Sequence, residues 1–187
     1  FNLTNMKFNS LDAKTRKKVD LYDNTTLFWA GSTKLNGRYM YHSMDASIGE
    51  GKDKGQKTNT LWLFAGTGDY ERIASRDKGT ENVLLGIKDE DYPLFKDVDG
   101  DVEPTPRKDM TDITKCKNVT KDETGASCPQ QADAGWWVAV SDFKKVTAEP
   151  TVSRGLVYFP IYKPSSSVNR CSLGEALICG LDDECGT

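Results

Sequence analysis

Short runs of bulky aliphatic and aromatic residues recur along the chain, each closed by a glycine, acidic or proline-containing turn. The firmest are Leu61 to Ala65, Val83 to Lys88, Gly135 to Val140, Leu156 to Tyr162 and Ala176 to Leu181. Runs of this length bounded by turn residues predict strands, and helical spacing is poor throughout. Weaker runs cover Phe1 to Phe8 and Val19 to Ala30, and the hairpin-type pair Asn36-Gly37 leads into Arg38 to Met44, which reads as a further buried strand. Glu149-Pro150 suits an edge or the start of a strand.

The pattern repeats. Gly135 to Thr187 superposes on Met40 to Glu90, with Leu156-Val157-Tyr158-Phe159 over Leu61-Trp62-Leu63-Phe64 and Ile178 to Glu184 over Leu84 to Glu90. Two copies of one set of strands predict an all-β chain of antiparallel sheets arranged as part of a β-propeller, an incomplete ring spanning residues 1–187. Between the copies the sequence turns acidic, proline-containing and poor in apolar residues. This stretch, Leu94 to Ala134 within an insertion of about 91–134, is too polar for a core and too long for an ordinary connection.

Composition narrows the picture. The chain has 187 residues, 37% of them hydrophobic, with a formal charge of -3 and its 25 Lys and Arg residues scattered. That is a globular composition with enough length for one substantial core, and it lacks the basic stripe of a nucleic-acid surface. No run reaches transmembrane length, and both ends read as cut from a longer polypeptide whose leader has been removed. Cys116, Cys128, Cys171, Cys179 and Cys185 lie in turn-like surroundings without C-x-x-C spacing, which predicts disulfides and an oxidising compartment. A bridge between Cys116 and Cys128 would close a short loop, and Cys171 is within reach of either Cys179 or Cys185.

Candidate chemistry is sparse. Asp97, Asp99 and Asp101 alternate as carboxylates that can converge on a hard cation such as calcium, although the glycine and the terminal acid of an EF-hand are out of place. His42 has no recognisable nucleophile beside it and reads as a satisfied core or edge histidine. Gly66-Thr67-Gly68 follows a strand without the helix and lysine of a phosphate loop, so its glycines read as a sheet corner that allows positive φ and close backbone approach. Adjacent Trp136 and Trp137 on one strand should face opposite ways. Asn2, Asn24 and Asn118 stand in glycosylation-acceptor form but read as turn chemistry.

In order, Phe1-Asn2-Leu3, Leu27-Phe28, Ala65-Gly66-Thr67-Gly68, Leu85-Gly86-Ile87-Lys88-Asp89, Gly135-Trp136-Trp137-Val138, Glu149-Pro150-Thr151-Val152, Leu156-Val157-Tyr158-Phe159 and Cys171-Ser172-Leu173-Gly174 resemble the C-terminal β-propeller of the PilC/PilY proteins. The resemblance implies a non-catalytic module of a type IV pilus tip adhesin and assembly factor, exported through the periplasm to the cell surface. It implies partners among the minor pilins of the tip, a host or surface ligand, and the remainder of the parent polypeptide. The family's calcium loop has Asp-x-Asp-x-Asp form, which Asp97, Asp99 and Asp101 match in spacing, while Thr105 replaces its final aspartate. Other readings are a secreted propeller enzyme of the quinoprotein dehydrogenase or glycoside hydrolase kind, and a calcium-stiffened spacer; the carboxylates here are not paired by position as a glycosidase requires.

Overall fold

The computed structural model describes residues 38–51, 58–76, 81–89, 110–114, 133–167 and 171–186, together with the backbone of four short strands. Those four are β1 (Met6–Phe8), β2 (Val19–Leu21), β3 (Phe28–Trp29) and β7 (Thr105–Pro106); β1 pairs with β2, and β3 with β7. The others are β4 (Asp45–Ile48), β5 (Leu61–Gly66), β6 (Asn82–Asp89), β8 (Thr111–Asp112), β9 (Gly135–Val140), β10 (Lys145–Val146), β11 (Thr151–Ser153), β12 (Leu156–Lys163) and β13 (Glu175–Asp182). The described residues form strands, turns and loops with no helix, so the fold is all-β, and none of its sheets closes into a barrel.

The first large sheet has the order β4-β5-β6-β9-β8, an antiparallel meander through β9 with β8 added in parallel at its edge. In the second, β12 pairs antiparallel with β10 and β11 along one side and with β13 along the other. Alternation along each strand decides what is buried. Trp62 and Phe64 of β5, Leu84 of β6 and Trp136 and Val140 of β9 share one core with Val146, Val157, Phe159 and Ile161 of the second sheet. The opposite face of the first sheet carries Ala65, Val83, Leu85 and Ile87, packed with Met110, Met40 and Met44. β6 is thus covered on both sides, which accounts for its nearly continuous apolar sequence.

Trp136 and Trp137 fall into different cores, as alternation requires. Two expectations are corrected. Arg38 to Met44 is not a strand; Met40 and Met44 instead cover the second core, Tyr39 and Tyr41 are exposed, and the strand begins at Asp45. Nor is the insertion wholly peripheral: Met110 and Ile113 are buried on opposite sides of the first sheet, with β8 between them bound to β9.

The repeated runs occupy corresponding hairpins, β5-β6 and β12-β13; laying Ile178 to Glu184 on Leu84 to Glu90 keeps the observed register, whereas laying Leu156 to Phe159 on Leu61 to Phe64 is one residue out of step. A single common shift that lays Trp62 on Leu156 and Gly86 on Gly180 carries the pairs Trp62↔Lys88, Phe64↔Gly86 and Gly66↔Leu84 onto Leu156↔Asp182, Tyr158↔Gly180 and Pro160↔Ile178. Placing Leu156 over Leu61 does not preserve this register, and one residue of slip exchanges the two faces of a strand.

Candidate functional site

Carboxylates stitch the edge of the first sheet to the second. Asp45 at the start of β4 accepts the backbone N–H of Val152 in β11 at 2.7 Å, and Ser43 Oγ donates to the Glu149 carboxylate. Ser47 Oγ donates to Asp183 at 3.1 Å. Glu184, 1% exposed, accepts the backbone N–H groups of Glu50 and Gly51 at 2.7 and 3.1 Å. The turn that holds Asp183 and Glu184 is itself fixed by Asp182, whose Oδ1 accepts the N–H groups of Glu184 and Cys185. The Trp136 indole N–H donates to the Asp183 carbonyl at 3.1 Å, tying this turn to the core. A buried carboxylate that accepts a backbone donor on each oxygen is a structural clamp.

At the other end of the second sheet lies a cavity of about 360 Å³, lined by Arg76, Asp142, Phe143, Lys163, Ser165 and Glu175 among others. The turn Ser141 to Lys144 passes the chain from the first sheet to the second and is closed by Lys144 N–H donating to the Ser141 carbonyl at 3.2 Å. Its central residues, Asp142 and Phe143, have φ of 58° and 59°, the mirror-image turn conformation that glycine and asparagine adopt most readily. The Arg76 guanidinium lies 4.8 Å over the Phe143 ring. Beneath them the buried Lys145 donates from Nζ to the carbonyls of Ser75 at 2.5 Å and Phe143 at 3.3 Å, clamping the two segments together. On the facing wall Lys163 Nζ is 3.4 Å from the Glu175 carboxylate, and Ser165 Oγ shares a hydrogen bond with Ser172 Oγ.

Asp97, Asp99 and Asp101 lie outside the described residues, as do Cys116 and Cys128 and the bridge expected between them. Among the described residues no group of three or more His, Cys, Asp and Glu could hold a metal ion. Cys185 is disulfide-bonded, whereas Cys171 and Cys179 stand as thiols, so neither pairing expected for Cys171 is formed. Cys171 is exposed; Cys179 sits at the core face of β13, where burial pushes its thiol up and the charge of Lys144 pulls it partly back. His42 is half-buried and meets Tyr70 edge-on at 5.7 Å, and its buried Nε2 has no hydrogen-bond partner among the described residues, where a satisfied histidine was expected.

The glycines of Gly66-Thr67-Gly68 have no positive φ. They serve close approach alone, since a Cβ on Gly66 or Gly68 would stand 2.5 and 2.8 Å from side-chain atoms of Val146 and Lys145 in β10. The site residues missed in the sequence are Glu184, read only as the end of the repeated run Ile178 to Glu184, and the Arg76, Phe143 and Lys145 group. A buried lysine between two apolar-flanked turns leaves little trace in the pattern, although Asp-Phe-Lys-Lys in a turn without glycine is an available signal of strain. No helix among the described residues is long and apolar enough to cross a membrane. No family model, curated protein or solved structure matches the chain.

Proposed function

We propose that this chain is a non-catalytic β-propeller segment of a type IV pilus tip-associated adhesin and assembly factor, displayed at the cell surface with minor pilins, a surface ligand and the rest of the parent polypeptide as partners. One observation carries the propeller part of this reading. Under the common shift, the face of the first sheet that packs on the second, with Trp62 and Phe64, is the counterpart of the second sheet's outer face, with Leu156 and Tyr158. A two-fold sandwich would bring equivalent faces together, whereas here unlike faces meet, a head-to-tail arrangement that leaves the same face open for a successor. That open face is apolar: Leu156 and Tyr158 are exposed, and Ile178 on the same face of β13 is 74% exposed.

Gly180 points the same way. Its counterpart Gly86 is required because Trp136 of the next strand lies over it, but a Cβ on Gly180 would meet only Tyr158, at 3.3 Å or more. That contact is tight, but the exposed Tyr158 ring can yield where the buried Trp136 ring cannot. A mid-strand glycine marks a place where a ligand or another backbone comes close, and β13 has no strand paired on its far side among the described residues. Loops on a rigid sheet scaffold suit ligand contact, which supports the adhesin part.

The test is deletion in a type IV-piliated strain that encodes the chain, scored for surface pili and adhesion, with complementation by a form lacking residues 115–132 so that Met110 and Ile113 stay in place. Loss of piliation or adhesion on deletion, with pili restored by the shortened form, supports the proposal; unchanged pili and adhesion would end it. Calcium at Asp97, Asp99 and Asp101 belongs to the same proposal on spacing alone, and a calcium-dependent rise in Tm that Asp99→Ala removes would support it.

A further inference from the structure

We propose that the cavity between the Ser141–Lys144 turn and the start of β13 binds a sugar acid, the carboxylate seated on Arg76 and the hydroxyls on the facing carboxylates and serines. The inference goes beyond the pilus reading and does not lean on it. Three linked features converge on the cavity. Asp142 and Phe143 both adopt the left-handed conformation, which is rare for a bulky residue such as Phe143, and strain of this kind persists where the surroundings impose it. The buried Lys145 supplies that imposition by holding the carbonyls of Ser75 and Phe143. The consequence is that Arg76, next in sequence to Ser75, is stacked on the Phe143 ring at the cavity wall.

Stacked there, the guanidinium has no hydrogen bond or ion pair among the described residues, so its planar fork of donors is available to a ligand. A fork of this geometry matches a carboxylate in two parallel hydrogen bonds. The rest of the lining selects among anions. Asp142, 3.9 Å from Lys144, and Glu175, 3.4 Å from Lys163, are each paired with a lysine, which leaves the charge of Arg76 to a ligand. A singly charged acid whose hydroxyls donate to those carboxylates is matched, while a dianion such as phosphate carries more charge than that guanidinium offsets. The exposed hydroxyl of Ser166 and that of Ser165 add short polar partners on the same wall. A volume of about 360 Å³ lies near the lower bound of small-molecule sites and suits a single sugar unit.

Calorimetric titration of the purified chain with glucuronic acid and with N-acetylneuraminic acid, against glucose and inorganic phosphate, tests this. Saturable binding of at least one acid is expected, with no binding of glucose or phosphate. Arg76→Ala should weaken the acid at least about tenfold. Phe143→Gly, which places glycine where the left-handed conformation is unstrained and so keeps the fold, should weaken it as well by removing the ring that holds Arg76. The proposal is overturned if neither acid binds, if glucose or phosphate binds as tightly, or if Arg76→Ala binds unchanged.

Discussion

Gly86 and Trp136 are directly opposed on β6 and β9, and the indole occupies the space that any side chain at Gly86 would need. A Cβ there would stand 2.3 Å from a ring carbon of Trp136. The ring is fully buried between Phe64 at 6.2 Å and Phe159 at 6.3 Å, so it touches the first sheet and the second at once. Gly86→Ala should therefore push Trp136 out of the shared core and lower stability by about 1–3 kcal/mol. Trp136→Ala, which empties the same volume, should cost about 3–5 kcal/mol. Urea unfolding of both variants checks this; a Gly86→Ala protein as stable as the parent would show that the core yields around the indole.

Glu184 illustrates how an acidic turn serves packing. Its buried carboxylate is the acceptor for two backbone donors of the loop that follows β4. Glu184→Ala leaves the N–H groups of Glu50 and Gly51 without that acceptor, each loss worth about 1–3 kcal/mol where water cannot replace it. Glu184→Gln keeps one carbonyl acceptor and should lie between the parent and the alanine variant. Amide hydrogen exchange at Glu50 and Gly51 reads the effect locally: fast exchange is expected in Glu184→Ala, and unchanged protection would remove the clamp from the account.

The firm strands were legible because each carries a run of apolar residues closed by turn residues, continuous in β6, which is buried on both faces, and β5, β6, β9, β12 and β13 begin or end within a residue of those runs. β4 was not, since Asp-Ala-Ser-Ile has no apolar run; it is an edge strand bonded across the seam through Asp45 and Ser47. The repeat was legible in register at β13, where Gly180 falls on Gly86, but not at β12, because Leu-Val-Tyr-Phe matches Leu-Trp-Leu-Phe equally well by hydrophobicity in a frame that exchanges the faces. The cavity was illegible for a related reason. What distinguishes Phe143 is its backbone conformation, and the one trace of it in the sequence is a turn, Asp-Phe-Lys-Lys, that lacks glycine.

Asp69 and Arg72 give a pH dependence with a definite sign. Partial desolvation alone would raise the Asp69 carboxyl, but the Arg72 side chain donating to it at 2.6 Å, the Arg72 backbone N–H and the guanidinium charge outweigh this and hold it below its ordinary value. A carboxyl depressed in the folded state contributes stability above its unfolded value of about 3.9 and loses it as pH falls through the folded value. Because the Arg72 side chain is 60% exposed and the pair is screened, the contribution is no more than about 0.5 kcal/mol. Arg72→Met should lower Tm slightly at pH 7 and not at all at pH 2; a deficit that persists at pH 2 would assign the effect to packing instead.

The cysteines should separate into three classes by reactivity. Exposed Cys171 should alkylate first, and Cys179, held below the surface with its thiol pushed up by burial, should follow slowly, its rate climbing with pH beyond the range of an ordinary thiol. Cys185 should label only after reduction. Peptide mapping without reductant should release the Cys171 and Cys179 peptides unlinked and the Cys185 peptide joined to another. Finding Cys185 joined to Cys171 or Cys179 would overturn the assignment. Cys185 follows Glu184 in the same turn, so reduction should also speed amide exchange at Glu50 and Gly51, whose N–H groups the Glu184 carboxylate accepts.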